Sequence, residues 1–180
     1  MILIINLCKE KLHYYEFVKP IEDVLKNADI NFLTKHYKEI SNENIKKVQK
    51  IIICGTSLKD GSYIEDINKF KWIKNFKGSI LGICAGFQIL GLLFGGSLKK
   101  KNEIGFYKEN FSKRFLGIKG EAEVYHLHKN YIDLSNTNEF EIFNLNEIAQ
   151  AIKHKEKEFY GVLFHPEVRN KKMILNFAKL

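Results

Sequence analysis

One stretch near the middle of the chain constrains it more than any other: Gly78-Ser79-Ile80-Leu81-Gly82-Ile83-Cys84-Ala85-Gly86-Phe87-Gln88-Ile89-Leu90-Gly91. Apolar, strand-forming residues lead into Gly82-Ile83-Cys84-Ala85-Gly86, and an apolar helical pattern begins at once. That succession is the G-x-nucleophile-x-G elbow, with cysteine in the nucleophile's place. Such a turn is strained and crowded, so a side chain at either flanking glycine would strike the adjacent strand or helix. The elbow holds its sulfur at the carboxyl edge of the sheet, where open α/β sheets bind ligands, and aims it at the positive end of a helix. It also leaves the Ala85 amide free to donate to a developing oxyanion. A buried packing residue is the commoner fate of a lone cysteine. Strand, Gly-x-Cys-x-Gly and helix in direct succession favour a nucleophile at Cys84.

The remainder of the chain supplies the sheet that an elbow needs. Short apolar runs at 2–7, 30–34, 50–54 and 79–84 predict buried strands. Helices are predicted between them at 20–28, 42–49 and 63–76, with Pro20 suited to a first helical turn. This alternation predicts right-handed βαβ units: an α/β fold with a mostly parallel open sheet and helices on both faces. After Ser97 the pattern changes to short strand-like segments at 117–126, 131–134, 139–145, 148–153 and 160–164, which predict a smaller antiparallel or mixed extension. A helix at about 171–178 closes the chain. The 180 residues fit a single domain, 1–180, with a full hydrophobic core.

Composition removes several function classes. No apolar run approaches the about 20 residues of a membrane helix, and residues 1–7 read as a strand with no basic leader. Cys8, Cys54 and Cys84 are an odd set without paired spacing, which fits a reducing, cytoplasmic setting. The net charge of +8 comes almost wholly from lysine, with arginine only at Arg114 and Arg169. The lysines are scattered apart from Lys99-Lys100-Lys101, the pattern of a solvated surface and not of a nucleic-acid reader. No phosphate-cradling loop of the G-x-x-x-x-G-K-[ST] type is present.

A nucleophilic cysteine needs a base that a third group holds in place. Near the C-terminus, Tyr160-Gly161-Val162-Leu163-Phe164 predicts a strand that delivers His165 at its end. Pro166 then stiffens an extended segment, on which Glu167 shares a face with His165. The carboxylate can therefore hold one ring nitrogen while the other faces Cys84.

The two motifs together, Gly82-Ile83-Cys84-Ala85-Gly86-Phe87-Gln88 and Phe164-His165-Pro166-Glu167-Val168, closely resemble the class I, or triad, glutamine amidotransferases across nearly the whole chain. The resemblance implies a flavodoxin-like fold with no cofactor. It makes Cys84 the nucleophile, His165 the general base and later acid, and Glu167 its orienter. Gly55 falls at the family's oxyanion loop and, with Ala85, would donate to the oxyanion. Gln88, Leu127, His128 and Asn130 fall where the family contacts bound L-glutamine, the last three within a segment whose backbone holds the substrate. Within the family, the compact length, the segment at 127–132 and the ending at 151–168 look most like the separate glutaminase subunit of archaeal-type GMP synthases, which passes ammonia to an ATP-dependent synthetase on another chain. Two departures stand out: Phe87 where that group carries histidine, and Gly55-Thr56-Ser57 where it reads Gly-Gly-Pro.

Three other readings stay open on the residues. The same triad serves stand-alone γ-glutamyl hydrolases, and the same fold serves non-catalytic binding modules. His126 and His128 can share one strand face and, with a cysteine, ligate a metal, but no third ligand stands at suitable spacing, so no metal is expected. Cys8, Cys54, Trp72 and the Tyr14-Tyr15 pair read as packing residues, and His13, His36 and His154 as surface residues.

Overall fold

The computed structural model of the protein describes residues 1–144 and 146–180. Four strands come first among helices: β1 (Ile2–Asn6), β2 (Phe32–His36), β3 (Lys50–Ile53) and β4 (Ser79–Ile83). The connecting helices are α1 (Lys11–Phe17), α2 (Lys19–Lys26), α3 (Asn42–Lys46) and α4 (Ser62–Glu65). Then α5 (Ala85–Leu93) leads to a long hairpin, β5 (Ser97–Phe115) and β6 (Ile118–Asp133). The short strands β7 (Phe140–Ile142), β8 (Ala151–His154) and β9 (Phe159–Val162) precede α6 (Lys171–Lys179).

The main sheet has the order β2-β1-β3-β4-β9-β8-β7. Its first five strands run parallel, and β8 and β7 continue it antiparallel. Thr34, Ile4, Ile52, Leu81 and Tyr160 lie in register across it. Side chains alternate between faces, so each strand feeds two cores. Ile4, Ile52 and Leu81 face α1, α2 and α6 through Phe17, Ile21, Ile174 and Phe177. Leu3, Ile5, Ile51 and Ile53 face α5 and the segment before β4 through Ile89, Leu90, Phe70 and Ile73. Burial on both faces is why these strands read as unbroken apolar runs.

The predicted α/β class, the mostly parallel sheet and the antiparallel extension are all present, with differences in detail. The helix expected over 63–76 is one turn of α4 followed by a 3-10 helix at Ile67–Asn75. Ile67, Phe70, Ile73 and Phe76 recur every three residues, and a helix of three residues per turn stacks all four on one side. The helix expected over 42–49 stops at Lys46, after a capping box between Ser41 and Asn44. Helix α1 was not foreseen, because Phe17 is its only buried residue and no apolar stripe marks it.

The largest difference lies after Ser97. The segments expected at 117–126 and 131–134 are parts of one strand, β6, and β5 was not foreseen at all. Most of β5 is exposed, so it lacks the alternation that marks a half-buried strand. Pairing with β6 holds it, and Leu116 and Gly117, both at positive φ, make the two-residue turn between them. The strand expected over 139–145 is β7, and Leu145 lies outside the described residues. His154 is not on the surface: it is buried against Phe94, Phe140 and Phe159. Among the described residues no helix is long and apolar enough to cross a membrane.

Phe70 is the side chain through which the 3-10 segment grips the sheet, stacked on Tyr37 at 5.4 Å between ring centroids. Phe70→Ala is expected to lower stability by about 3–5 kcal/mol, read from urea unfolding midpoints at unchanged slope.

Candidate active site

The elbow forms as its residues require. Cys84 follows β4 directly at φ 48° and ψ −98°, a left-handed conformation costing about 1–3 kcal/mol for a residue with a side chain. Its amide donates to the Val162 carbonyl (2.8 Å), and its carbonyl accepts from the Gln88 amide (3.0 Å). The two glycines are the condition for this geometry. A Cβ on Gly86 would lie 2.3 Å from the Ile53 carbonyl oxygen, and one on Gly82 would lie 2.6 Å from the Gly86 backbone. Ala85 begins α5, so its amide is one of the helix's free N-terminal donors.

Strand β9 is the parallel neighbour of β4, with Ile83 opposite Val162, so the chain beyond Val162 emerges beside Cys84. The His165 amide donates to the Tyr125 carbonyl on β6 (2.8 Å), which fixes where the side chain starts. His165 Nδ1 and Glu167 Oε1 are 2.7 Å apart, and both residues are buried. The route to this pair differs from the expected extended segment. A turn over His165–Val168, closed by Val168 N–H to His165 O and Asn170 N–H to Pro166 O, brings the carboxylate round.

A Cβ on Gly55 would lie 2.6 Å from His165 Cε1 and 3.4 Å from Cys84 Cβ. Imidazole and cysteine are therefore neighbours across a bare glycine. Burial alone would make the His165 ring less basic. The Glu167 carboxylate and the Cys84 sulfur outweigh burial and push its pKa well above the usual imidazole range.

In front of Cys84 lies a narrow cleft whose lining includes Thr56, Tyr63, Gln88, Leu127, His128 and Asn130. Its free space is only about 20 Å³, and the Leu127 carbonyl approaches Cys84 Sγ to 3.6 Å. A wider groove of about 520 Å³, lined in part by Ile45 and Trp72, lies where β3 and β4 begin. That is the wrong end for an α/β site.

Gln88 is buried, with both ends of its amide engaged: Tyr63 Oη donates to Oε1 (2.6 Å), and Nε2 donates to the Asn130 carbonyl (3.0 Å). His128 is buried too, and burial, followed by the neighbouring His126, lowers its pKa to about 4. Phe87 points away from the cleft into a cluster with Ile132, Phe140 and Ile152, so the departure at this position is a packing change.

Two residues that sequence reasoning missed shape the cleft. Tyr63 holds Gln88, as above. Asp60 Oδ2 accepts from Thr56 Oγ1 (2.7 Å) and from the Lys9 amide (3.2 Å), and it lies 3.1 Å from His13 Nδ1. Burial opposes charge on Asp60, but hydrogen bonds from Thr56, Lys9 and His13 outweigh it and hold the carboxyl below its ordinary range. All three cysteines are buried, and burial raises the Cys8 thiol to about 11 and the Cys54 thiol well above the usual range.

Comparison with known proteins agrees with this geometry. Residues 13–178 match the family model "Glutamine amidotransferase class-I". The chain is 34% identical over 136 residues to a glutamine-hydrolysing GMP synthase of Spiroplasma kunkelii, a match covering 71% of this chain and 27% of that protein. It is 34% identical over 161 residues to the A-subunit of the glutamine-hydrolysing GMP synthase of Methanosphaera stadtmanae, covering 82% and 81%. The corresponding A-subunit of Methanobrevibacter smithii is 33% identical, covering 71% and 70%. A solved structure of a GMP synthase A-subunit protein from Thermoplasma acidophilum, described as putative, superposes with a TM-score of 0.85 at 21% identity, over 99% of this chain and 92% of that one. The family model spans most of the chain, and relatives a third identical are matched over most of their own length, so the chain belongs to the class I glutamine amidotransferase family.

Proposed function

We propose that the 180 residues act as one glutaminase domain that hydrolyses L-glutamine to glutamate and ammonia through Cys84, His165 and Glu167. The observation that carries this reading is the buried 2.7 Å contact of His165 with Glu167, beside a cysteine held in a strained elbow. Cys84 gives its proton to His165, and the sulfur attacks Cδ of the substrate's side-chain amide. The carbonyl π electrons move to oxygen, where the Gly55 and Ala85 amides stabilise the oxyanion. As the tetrahedral intermediate collapses, the C–N bond breaks and His165 protonates the departing nitrogen, leaving a thioester. His165 then takes a proton from water, whose oxygen attacks the thioester. Glutamate leaves and the sulfur is restored. Glu167 keeps the imidazole oriented and stabilises its protonated form.

Backbone groups of Leu127, His128 and Asn130 are the proposed holders of the substrate's α-amino and α-carboxylate groups. Gln88 supports this segment through the Asn130 carbonyl. The cleft holds little more than a water, so glutamine enters when the Leu127 peptide moves away from Cys84. A site closed in this way suits a glutaminase that waits for its partner. Likeness to proteins named as one subunit of a GMP synthase supports a partner on another chain: an ATP-dependent synthetase that uses the ammonia, in GMP synthesis. Glutamate formation should rise on adding a GMP-forming synthetase. A full rate without it, on γ-linked peptides in place of glutamine, would overturn this reading in favour of a stand-alone γ-glutamyl hydrolase.

Three further outcomes test the chemistry. Cys84→Ala should lose at least about 10³-fold in kcat, and iodoacetamide should label Cys84 ahead of Cys8 and Cys54 in peptide mass spectra: all three thiols are buried, but Cys84 lines the cleft and burial raises the other two. Gly55→Ala drives a methyl into the His165 ring and should cost about 10²-fold in kcat at near-normal thermal stability. The raised His165 pKa keeps the imidazolium present to higher pH than a free imidazole would, so the alkaline limb of the pH–rate profile should lie above the ordinary histidine range. Glu167→Gln removes the main raising influence, so that limb should move to lower pH. An unmoved limb would exclude Glu167 as the orienter.

A further inference from the structure

The hairpin gathers a second group of chemistry-bearing side chains. Glu103 on β5 sits opposite His128 on β6, and Gly105 sits opposite His126. Alternation puts His126 and His128 on one face of β6, and antiparallel pairing adds Glu103 to it. Three atoms converge there. Glu103 Oε2 is 3.1 Å from His126 Nδ1 and 3.1 Å from His128 Nε2, and the two ring nitrogens are 3.2 Å apart. Both imidazoles are buried.

Protons satisfy this triangle only when both facing nitrogens carry one. Each facing nitrogen carries either a proton or a lone pair. Two N–H groups can both donate to Glu103 Oε2, but their hydrogens then crowd at one oxygen, and two lone pairs would face each other and the carboxylate. With one of each, a bare nitrogen still lies against the anionic Glu103 oxygen. A cation among the three atoms satisfies every lone pair at once. Zinc bonds of about 2.0–2.1 Å at tetrahedral angles set neighbouring ligand atoms about 3.3 Å apart, within a few tenths of the spacings found here.

The surroundings fit a metal as well. Glu109 Oε1 lies 3.3 Å from His126 Nε2, on the far side of the ring, as in carboxylate–histidine–metal arrangements. Gln150 Nε2 donates to Glu103 Oε2 at 3.0 Å and steadies the carboxylate. The Glu103 side chain is 14% exposed and gives an ion its way in.

We propose that Glu103, His126 and His128 form a site for a divalent transition-metal ion of the zinc class. Two imidazoles and one carboxylate favour such an ion over calcium or magnesium, which take oxygen ligands. The peptide between the two histidines carries Leu127, whose carbonyl faces Cys84 Sγ. An ion bound there holds that peptide from behind. It touches no reacting atom, so its role is positioning, and a side-chain ligand at His128 leaves that residue's backbone free for substrate.

The test uses the full chain with Cys84→Ser, so that the nucleophile's sulfur does not compete for metal. The protein is stripped with a chelator and titrated with zinc against a chromophoric chelator, with thermal unfolding followed in parallel. One zinc per chain should bind, with a raised Tm. Glu103→Gln and His126→Gln should each weaken binding by about tenfold or more and lose the thermal shift. No saturable binding below millimolar zinc, or equal affinity in both variants, would overturn the proposal. If the variants fail to fold, crystals of the unsubstituted chain grown with zinc decide it. An anomalous peak among the three ligand atoms supports the site, and its absence there overturns it.

Discussion

Helix α5 lies against the sheet so closely that only hydrogen fits between them at two places. The Ile53 carbonyl occupies the space where a Gly86 side chain would begin, and the Gly86 backbone occupies the space where a Gly82 side chain would begin. This contact forces the chain to turn within one residue, and that residue is Cys84 at φ 48°. Everything else in the site is placed relative to that turn. Strand β9 pairs with β4 and delivers His165, the bare Gly55 backbone lets the imidazole come alongside the cysteine, and β6 closes the front.

The electrostatics of the His165–Glu167 pair beside Cys84 are a contest between burial and proximity. His165 and Glu167 are almost wholly removed from water, which by itself disfavours charge on the imidazole. Their mutual contact, with the nearby sulfur, reverses the outcome for the imidazole. Glu167 Oε2 has no hydrogen-bond partner among the described residues, so the carboxylate's favourable contact is concentrated on one nitrogen. A buried pair of this kind is strongly damaged when one partner is removed, because the other is left uncompensated.

The parts of this molecule legible from sequence were those where local chemistry dictates residue type. The elbow glycines, His165-Pro166-Glu167 and the doubly buried strands β1, β3 and β4 announced themselves because few other residues fit there. The hairpin did not, since β5 is held by its partner strand and shows little buried face of its own. The stretch over 63–76 was read only as helical, because apolar spacing of three belongs to both the α and the 3-10 pattern. Glu103 and Asp60 were invisible for a third reason. Each acts across the fold, Glu103 on residues 23 and 25 positions later and Asp60 on residues 47 and 51 positions earlier, and single-residue patterning carries no trace of such pairings. The Gly55-Thr56-Ser57 departure acquires a purpose only in three dimensions, where Thr56 donates to Asp60.

That one carboxylate oxygen has a mechanical consequence. Asp60 Oδ2, itself in the loop after β3, binds Thr56 in that loop, Lys9 in the loop after β1 and His13 on the helix that follows it. Both loops leave the same edge of the sheet, and one of them carries the glycine on which the His165 imidazole rests. Pinned at a common rivet, they shift together or not at all. A displacement of either rim is therefore felt by the other before it reaches the sulfur.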